Sequence, residues 1–208
     1  MPVLSFSHGK YSANTCLVWQ GQDAVLIDPP YEEEALLEVI EREHLTVHAL
    51  LCTHLHIDHV MGCGIWQKRT GLPILAMAEE IAAAPAMLAR AAQGGSTADE
   101  FRTEPLVPGL HTWGELRCDA LFVPGHTPGS LCFYFPDMKV LVSGDSLYKA
   151  KPALTHFPES IPEALLPALQ EKIFTLPHDT IVYPGHGPTT NIGDEVCAAA
   201  PFPTTINS

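Results

Sequence analysis

The sequence is short of positive charge. Against 24 Asp and Glu it sets only 11 Lys and Arg, a formal net charge of -13. Such a field repels nucleic acid and anionic membranes over distance, and nothing resembles the basic groove expected of a nuclease. No apolar run approaches the ~20 residues of a membrane span, so no spanning helix is expected. The opening MPVLSFSHGKYSANTC has no charged start, apolar core and small-residue cleavage site in the manner of a signal peptide. It reads as a strand, and the expected location is the cytoplasm. The six cysteines (Cys16, Cys52, Cys63, Cys118, Cys132, Cys197) form no C-x-x-C pair. Four lie in apolar stretches such as CLVW, LLC and SLCFYF, which marks them as buried free thiols rather than disulfides. Cys63, four residues after His59, is likewise read as packing. Low-complexity segments, short-period repeats and linkers are also missing, so residues 1–208 are expected to form one domain.

What the chain has is apolar content and turns. Apolar residues make up 46%, enough for a core, and 19 prolines and 15 glycines imply many chain reversals. Strands are predicted at Pro2–Ser7, TCLVWQ and AVLID, the last two as a hairpin around GQD. Residues 31–44 have a helical period, with Ala35, Leu36, Val39 and Ile40 on one face and glutamates in the first turn. HALLCTH reads as a buried strand, 60–70 as a helix stopped by GLP, and ILAM as a short strand. AEEIAAAPAMLARAAQ reads as a helix interrupted by Pro85. Residues 94–112 read as a loop. Then come strands ELRCDALFV, SLCFYF and KVLVSG, a helix at about 160–175, and a last strand, TIVYP. Strands followed by helices in both halves are satisfied by two sheets packed face to face with helices outside.

Chemistry concentrates where strands end. LCTHLHIDHVMG holds His54, His56, Asp58 and His59; VPGHTPGS holds His126; LVSGDSLY holds Asp145; VYPGHGP holds His186. Each follows a strand-like run, so the side chains can converge at one sheet edge. In extended geometry His54 and His56 point the same way and can chelate one cation. Asp58 and His59 are adjacent and diverge, toward a second centre. Imidazoles and carboxylates suit zinc, iron or manganese, with zinc the first expectation. The two oxygens of Asp145 can bridge two divalent cations, which together would lower the pKa of a shared hydroxide toward ~7.

THLHIDH, with the later His, Asp and His in order, resembles the T-H-x-H-x-D-H signature of the metallo-β-lactamase-fold hydrolases. The resemblance covers nearly the whole chain. It implies an α/β fold, an αββα sandwich of two mixed sheets with the site at one edge. It implies a first metal on His54, His56 and His126, a second on Asp58, His59 and His186, and Asp145 between them. NTCLVW, GHTPGSLCFYF, VSGDSLY and YPGHGP are most similar to short bacterial glyoxalase II-type proteins, hydrolases of thioesters such as S-lactoylglutathione. The expected substrate is therefore a small acyl thioester or ester. That group usually follows its bridging aspartate with a GG-x-GR-x-D-F element; here the segment reads DSLYKAKPALTHFPES. The sequence ends at Ser208, without the C-terminal helical extension that helps full-length glyoxalase II enzymes hold glutathione.

In the altered segment Lys149 and Lys151 are candidates for holding a substrate carboxylate. Tyr148, three positions after Asp145, resembles the carbonyl-contacting tyrosine of lactonases, and Asp58 is expected to orient the nucleophile. A lactonase is thus the nearest rival. A persulfide dioxygenase with one iron, a β-lactam hydrolase and a non-enzymatic metal-binding regulator rank below it. His8, His44, His48, His111, His156 and His178 lack motifs and are read mostly as surface or capping residues.

Overall fold

The computed structural model of the chain describes residues 3–31, 34–151 and 153–199. The N-terminal half builds a six-stranded mixed sheet. Strands β1 (Val3–His8), β2 (Ala13–Gln20) and β3 (Asp23–Ile27) are antiparallel neighbours. Strands β4 (Thr46–Leu51), β5 (Ile74–Ala76) and β6 (Thr103–Pro105) continue it in parallel. Helices α1 (Glu34–Arg42), α2 (Ile57–Val60), α3 (Cys63–Thr70) and α4 (Ala78–Gln93) occupy its connections. The second half builds a sheet in the order β12-β11-β10-β9-β8-β7. Its strands are β7 (Gly109–Trp113), β8 (Leu116–Phe122), β9 (Leu131–Phe135), β10 (Val140–Gly144), β11 (Ile181–Pro184) and β12 (Thr190–Asn191). All neighbours are antiparallel except β10 and β11. Helices α5 (Pro162–Ala168) and α6 (Ile192–Ala199) complete it, with a π-helical turn at Leu169–Ile173 after α5.

The period of two along each strand sorts side chains into layers. In β2 and β3, Cys16, Val18, Val25 and Ile27 face Leu116, Cys118, Phe133 and Val142 of the other sheet. Their alternates Leu17, Ala24 and Leu26 pack under Leu36, Trp66 and Met87 of α1, α3 and α4. On the far side, Cys132, Tyr134, Leu141 and Val182 pack under Leu165, Ala168 and Ile192 of α5 and α6. The result is the αββα sandwich expected.

All six cysteines are free and only Cys197 is exposed; Cys52 and Cys63 pack sulfur to sulfur at 3.6 Å. Burial pushes the Cys16 and Cys132 thiols up to about 12, consistent with inert packing residues.

Several boundaries differ from the sequence reading. The first predicted strand is Val3–His8, Pro2 lying outside the described residues, as do Glu32 and Glu33 of the helix predicted over 31–44. Residues 94–112 are not a plain loop, because they carry β6 and most of β7. Pro85 does not end its helix, and α4 runs through it. The predicted helix at 60–70 is the pair α2 and α3. The short strand β12 and the helix α6 were not anticipated.

Candidate metal centre

The seven predicted ligands meet at one edge of the sandwich. His54 and His56 follow β4, His126 lies between β8 and β9, Asp145 follows β10 and His186 follows β11. After His56, whose backbone is still extended at φ -65 and ψ 152, the chain turns into α2. That turn carries Asp58 and His59 to another side of the site. Two glycines make the convergence possible. Gly144 has φ +50, and a Cβ there would meet Thr53 at 2.5 Å. A Cβ on Gly185 would meet the Asp145 carboxylate and His59.

The donor atoms form three overlapping groups, each with all atoms within 4.8 Å of one another: His54, His56 and His126; Asp58, His59 and His186; and His54, His59 and Asp145. Asp145 joins the first two. Its Oδ2 lies 3.5 Å from His126 Nε2, 3.9 Å from His54 Nε2 and 3.7 Å from His186 Nε2. Its Oδ1 lies 3.5 Å from His59 Nε2.

Each imidazole has one nitrogen tied outward. Glu159 Oε1 takes His56 Nε2 at 2.7 Å, and the Leu154 carbonyl takes His126 Nδ1 at 2.6 Å. Asp28 Oδ2 takes His59 Nδ1 at 2.9 Å, and the Ser12 carbonyl takes His186 Nδ1 at 3.1 Å. Thr53 Oγ1 lies 3.0 Å from His54 Nδ1. The opposite nitrogens are left for the centre: His56 Nδ1 and His126 Nε2 sit 3.0 Å apart. Holding one nitrogen fixes ring orientation and tautomer, as metal-ligating histidines require.

The residues fit divalent cations. Among the described residues, His54 Nε2, His59 Nε2 and Asp145 Oδ1 are buried with no hydrogen-bond partner. Three such atoms around one space would be costly unless a cation satisfied them. The electrostatics agree. Burial, then the neighbouring histidines, hold His54 well below the usual imidazole range, leaving its lone pair free. Burial also opposes charge on His59, but Asp145, Asp28 and Asp58 outweigh it and push that ring up to about 10. Burial would raise Asp58 too, yet His59 and His186 hold its carboxylate well below its ordinary value. This is a pocket that stabilises positive charge.

A cavity of about 310 Å³ opens over Asp58, His126, Asp145 and His186. Tyr148 is buried in its wall, its ring 6.4 Å from that of His186. Burial, then the charge of Asp145, push the Tyr148 hydroxyl well above its ordinary range, so it stays a donor. Lys149 and Lys151 are not in this cavity. They are exposed and line an adjoining cleft with Tyr148 and His186.

Sequence reasoning missed the groups that hold the candidate ligands. Asp28 also accepts from Thr53 N and Thr53 Oγ1, both at 2.8 Å. Asn14 Nδ2 donates to the Pro184 and Gly187 carbonyls at 2.9 Å and clamps the turn of His186. Asp28 carried a signal, since it ends a strand as Asp145 does; Glu159 carried none. His8 departs from its surface reading. It is 5% exposed, with burial, then the charge of His59, lowering its pKa to about 4.

A four-layer sandwich with histidine and aspartate clusters at the sheet edge defines a class of metal-dependent hydrolases. The chain belongs to the metallo-beta-lactamase superfamily, whose sequence model matches residues 8–186. It is 31% identical over 204 residues to the hydroxyacylglutathione hydrolase GloC of Haemophilus influenzae, covering 94% of this chain and 92% of that one. Among solved structures it is similar to BLEG-1, a B3 metallo-beta-lactamase, at a TM-score of 0.85 and 30% identity, covering 94% of this chain and 96% of that one. It is similar to TTHA1623 in a di-iron-bound form at 0.83 and 32%, covering 93% and 97%. As for location, no helix among the described residues is long and apolar enough to cross a membrane.

Proposed function

We propose that this metallo-hydrolase cleaves an acyl thioester of the hydroxyacylglutathione type, the full 208 residues acting as one catalytic domain. The observation that carries metal-dependent hydrolysis is the pair of donor triads joined by Asp145. The likeness to GloC along both chains supports the thioester. In this reading His54, His56 and His126 hold one divalent cation, and Asp58, His59 and His186 hold the second. Asp145 is shared between them. Zinc is the first expectation; the di-iron form of TTHA1623 makes iron the next. Bound there, the cations would polarise the acyl carbonyl and lower the pKa of water toward ~7.

The chain's own residues supply orientation. Asp58, at the cavity wall, accepts a hydrogen bond from the attacking water and aims it at the carbonyl carbon. Tyr148, in the cavity wall, directs its hydroxyl to the carbonyl oxygen as negative charge develops there. The carbon–sulfur bond then breaks, giving an acid and a thiol. Lys149 and Lys151, in the adjoining cleft, add positive potential beside the cavity that draws an acidic substrate toward it.

A lactonase is the second reading, favoured by the buried Tyr148 beside Asp145. The test is a screen of metal-loaded protein against acyl thioesters, lactones, β-lactams and phosphodiesters. A thioester should give the highest kcat/KM, with Tyr148→Phe lowering kcat ~10-fold or more and Lys149→Ala raising KM. A lactone or β-lactam turned over faster than every thioester would replace this reading.

A further inference from the structure

Arg90 of α4 is the one arginine or lysine among the described residues that line the metal cavity. The sequence pointed elsewhere, to Lys149 and Lys151, which lie in the adjoining cleft. We propose that Arg90 anchors a carboxylate on the thiol half of the substrate, and that Glu159 fixes the distance from this anchor to the reacting carbonyl. The proposal rests on the thioester reading for which half of the substrate carries the carboxylate; the anion site itself does not.

Three features make Arg90 more than a surface cation. Glu159 Oε1 accepts from Arg90 Nη2 at 2.5 Å and also meets His56 Nε2 at 2.7 Å, so one carboxylate holds both the guanidinium and a metal-facing imidazole. The Phe157 ring backs the same groups: its centroid lies 5.9 Å from the Arg90 guanidinium and 4.7 Å from the His56 ring. Arg90 is therefore tied to the centre through a short, stiff path. Its side chain is nevertheless 40% exposed, and of the five N–H donors of a guanidinium one is given to Glu159, so a forked face remains for a ligand.

The charge balance argues the same way. Asp58 and Asp145 face the cavity, and the whole molecule carries -13. An acidic substrate entering this space needs a fixed cation besides any metal. Arginine suits that place better than lysine, because its planar fork matches a carboxylate and stacks on an aromatic ring. Tyr11 lines the same cavity and is tethered through its hydroxyl to Ser96 Oγ at 2.6 Å, just past the end of α4, which adds a fixed aromatic ring to the space around Arg90.

The test is calorimetric and needs no turnover. Metal-loaded protein is titrated with S-methylglutathione and with its diester, which keeps the shape and removes both carboxylate charges. Arg90→Ala should weaken binding of the acid ~10-fold or more and leave the ester unchanged, with Arg90→Lys between. Glu159→Gln should give a smaller loss for the acid, because the guanidinium loses its aim. Metal content is measured for each variant, and the comparison is made at equal loading. An equal loss for acid and ester, no loss for either, or a parent protein that binds neither probe overturns the proposal. A parent protein that hydrolyses no thioester but shows the acid-against-ester contrast would sink the thioester reading and leave the anion site standing.

Discussion

Asp28 packs three hydrogen bonds onto one buried carboxylate, two from Thr53 and one shared with His59 Nδ1. It does so from a left-handed backbone, φ 50, at the end of β3. The position shows what a single residue can reveal before a structure. The candidate ligands were legible because a histidine or aspartate in a Gly- or Pro-rich turn after a strand is an unusual choice. Asp28 sits in the same kind of turn, LIDPP, yet read as the tail of its strand, because its partners Thr53 and His59 are 25 and 31 residues away. Its role yields a prediction. With Asp28 accepting at Nδ1, His59 keeps that proton when a cation displaces the one on Nε2. Asp28→Asn removes the charge and turns an amide toward donors. Affinity for the cation at His59 should fall ~10–100-fold with the fold intact. Chelator competition followed by elemental analysis measures this, and unchanged affinity would show that Asp28 serves only the backbone of Thr53.

At the scale of elements, the site depends on loops held in register by groups outside the donor triads. Glu80, in the first turn of α4, is fully buried and spans two of them. Its Oε1 accepts from Leu55 N at 2.8 Å and its Oε2 from Gly129 N at 3.0 Å, tying the loop after β4 to the loop before β9. Those loops carry His54 and His126. Burial raises the Glu80 pKa, and the hydrogen bonds from Leu55 N and Gly129 N oppose the rise. Glu80→Ala would strand two buried N–H groups, at a cost of ~1–3 kcal/mol each. Urea denaturation should show most of that loss, and Glu80→Gln, which keeps one acceptor, should lose about half as much. A stability unchanged in both variants would mean the loops hold themselves. The elements that sequence reading missed have physical reasons. β6 and β7 lie at the open edges of their sheets, and TEP and GLHTW contain no buried residue, so no apolar core face marks them. The helix continues through Pro85 because packing of Ala84 and Met87 beneath α4 overrides the loss of one helical hydrogen bond. Central strands such as LCFYF and VLVSG are buried on both faces, and their continuous apolar runs made them legible.

The whole molecule balances a well-packed sandwich against concentrated negative charge. Its net charge is -13, and Asp28, Asp58 and Asp145 crowd a single edge around His59. The sheets and their helices make the core, so the fold should survive without cations, but the edge should be strained by like charges. Metal binding then becomes stability. A cation at free concentration ~1,000-fold above its Kd contributes about 4 kcal/mol. For a chain of this size each kcal/mol is worth roughly 2–4 °C in Tm, so one tight site should add on the order of 10 °C. Elemental analysis of protein purified without chelator should approach two cations per chain. Stripping them should lower Tm in two separable steps, if the triads differ in affinity, or in one larger step if Asp145 couples them fully. The stripped protein should also gain more Tm from added salt than the loaded protein, because screening relieves repulsion that the cations otherwise neutralise. Asp145→Asn should flatten this difference, since it removes the charge shared by both triads. A Tm indifferent to chelation, with one cation or none bound under metal-replete conditions, would overturn the binuclear assignment and make the crowded aspartates a feature of the fold alone.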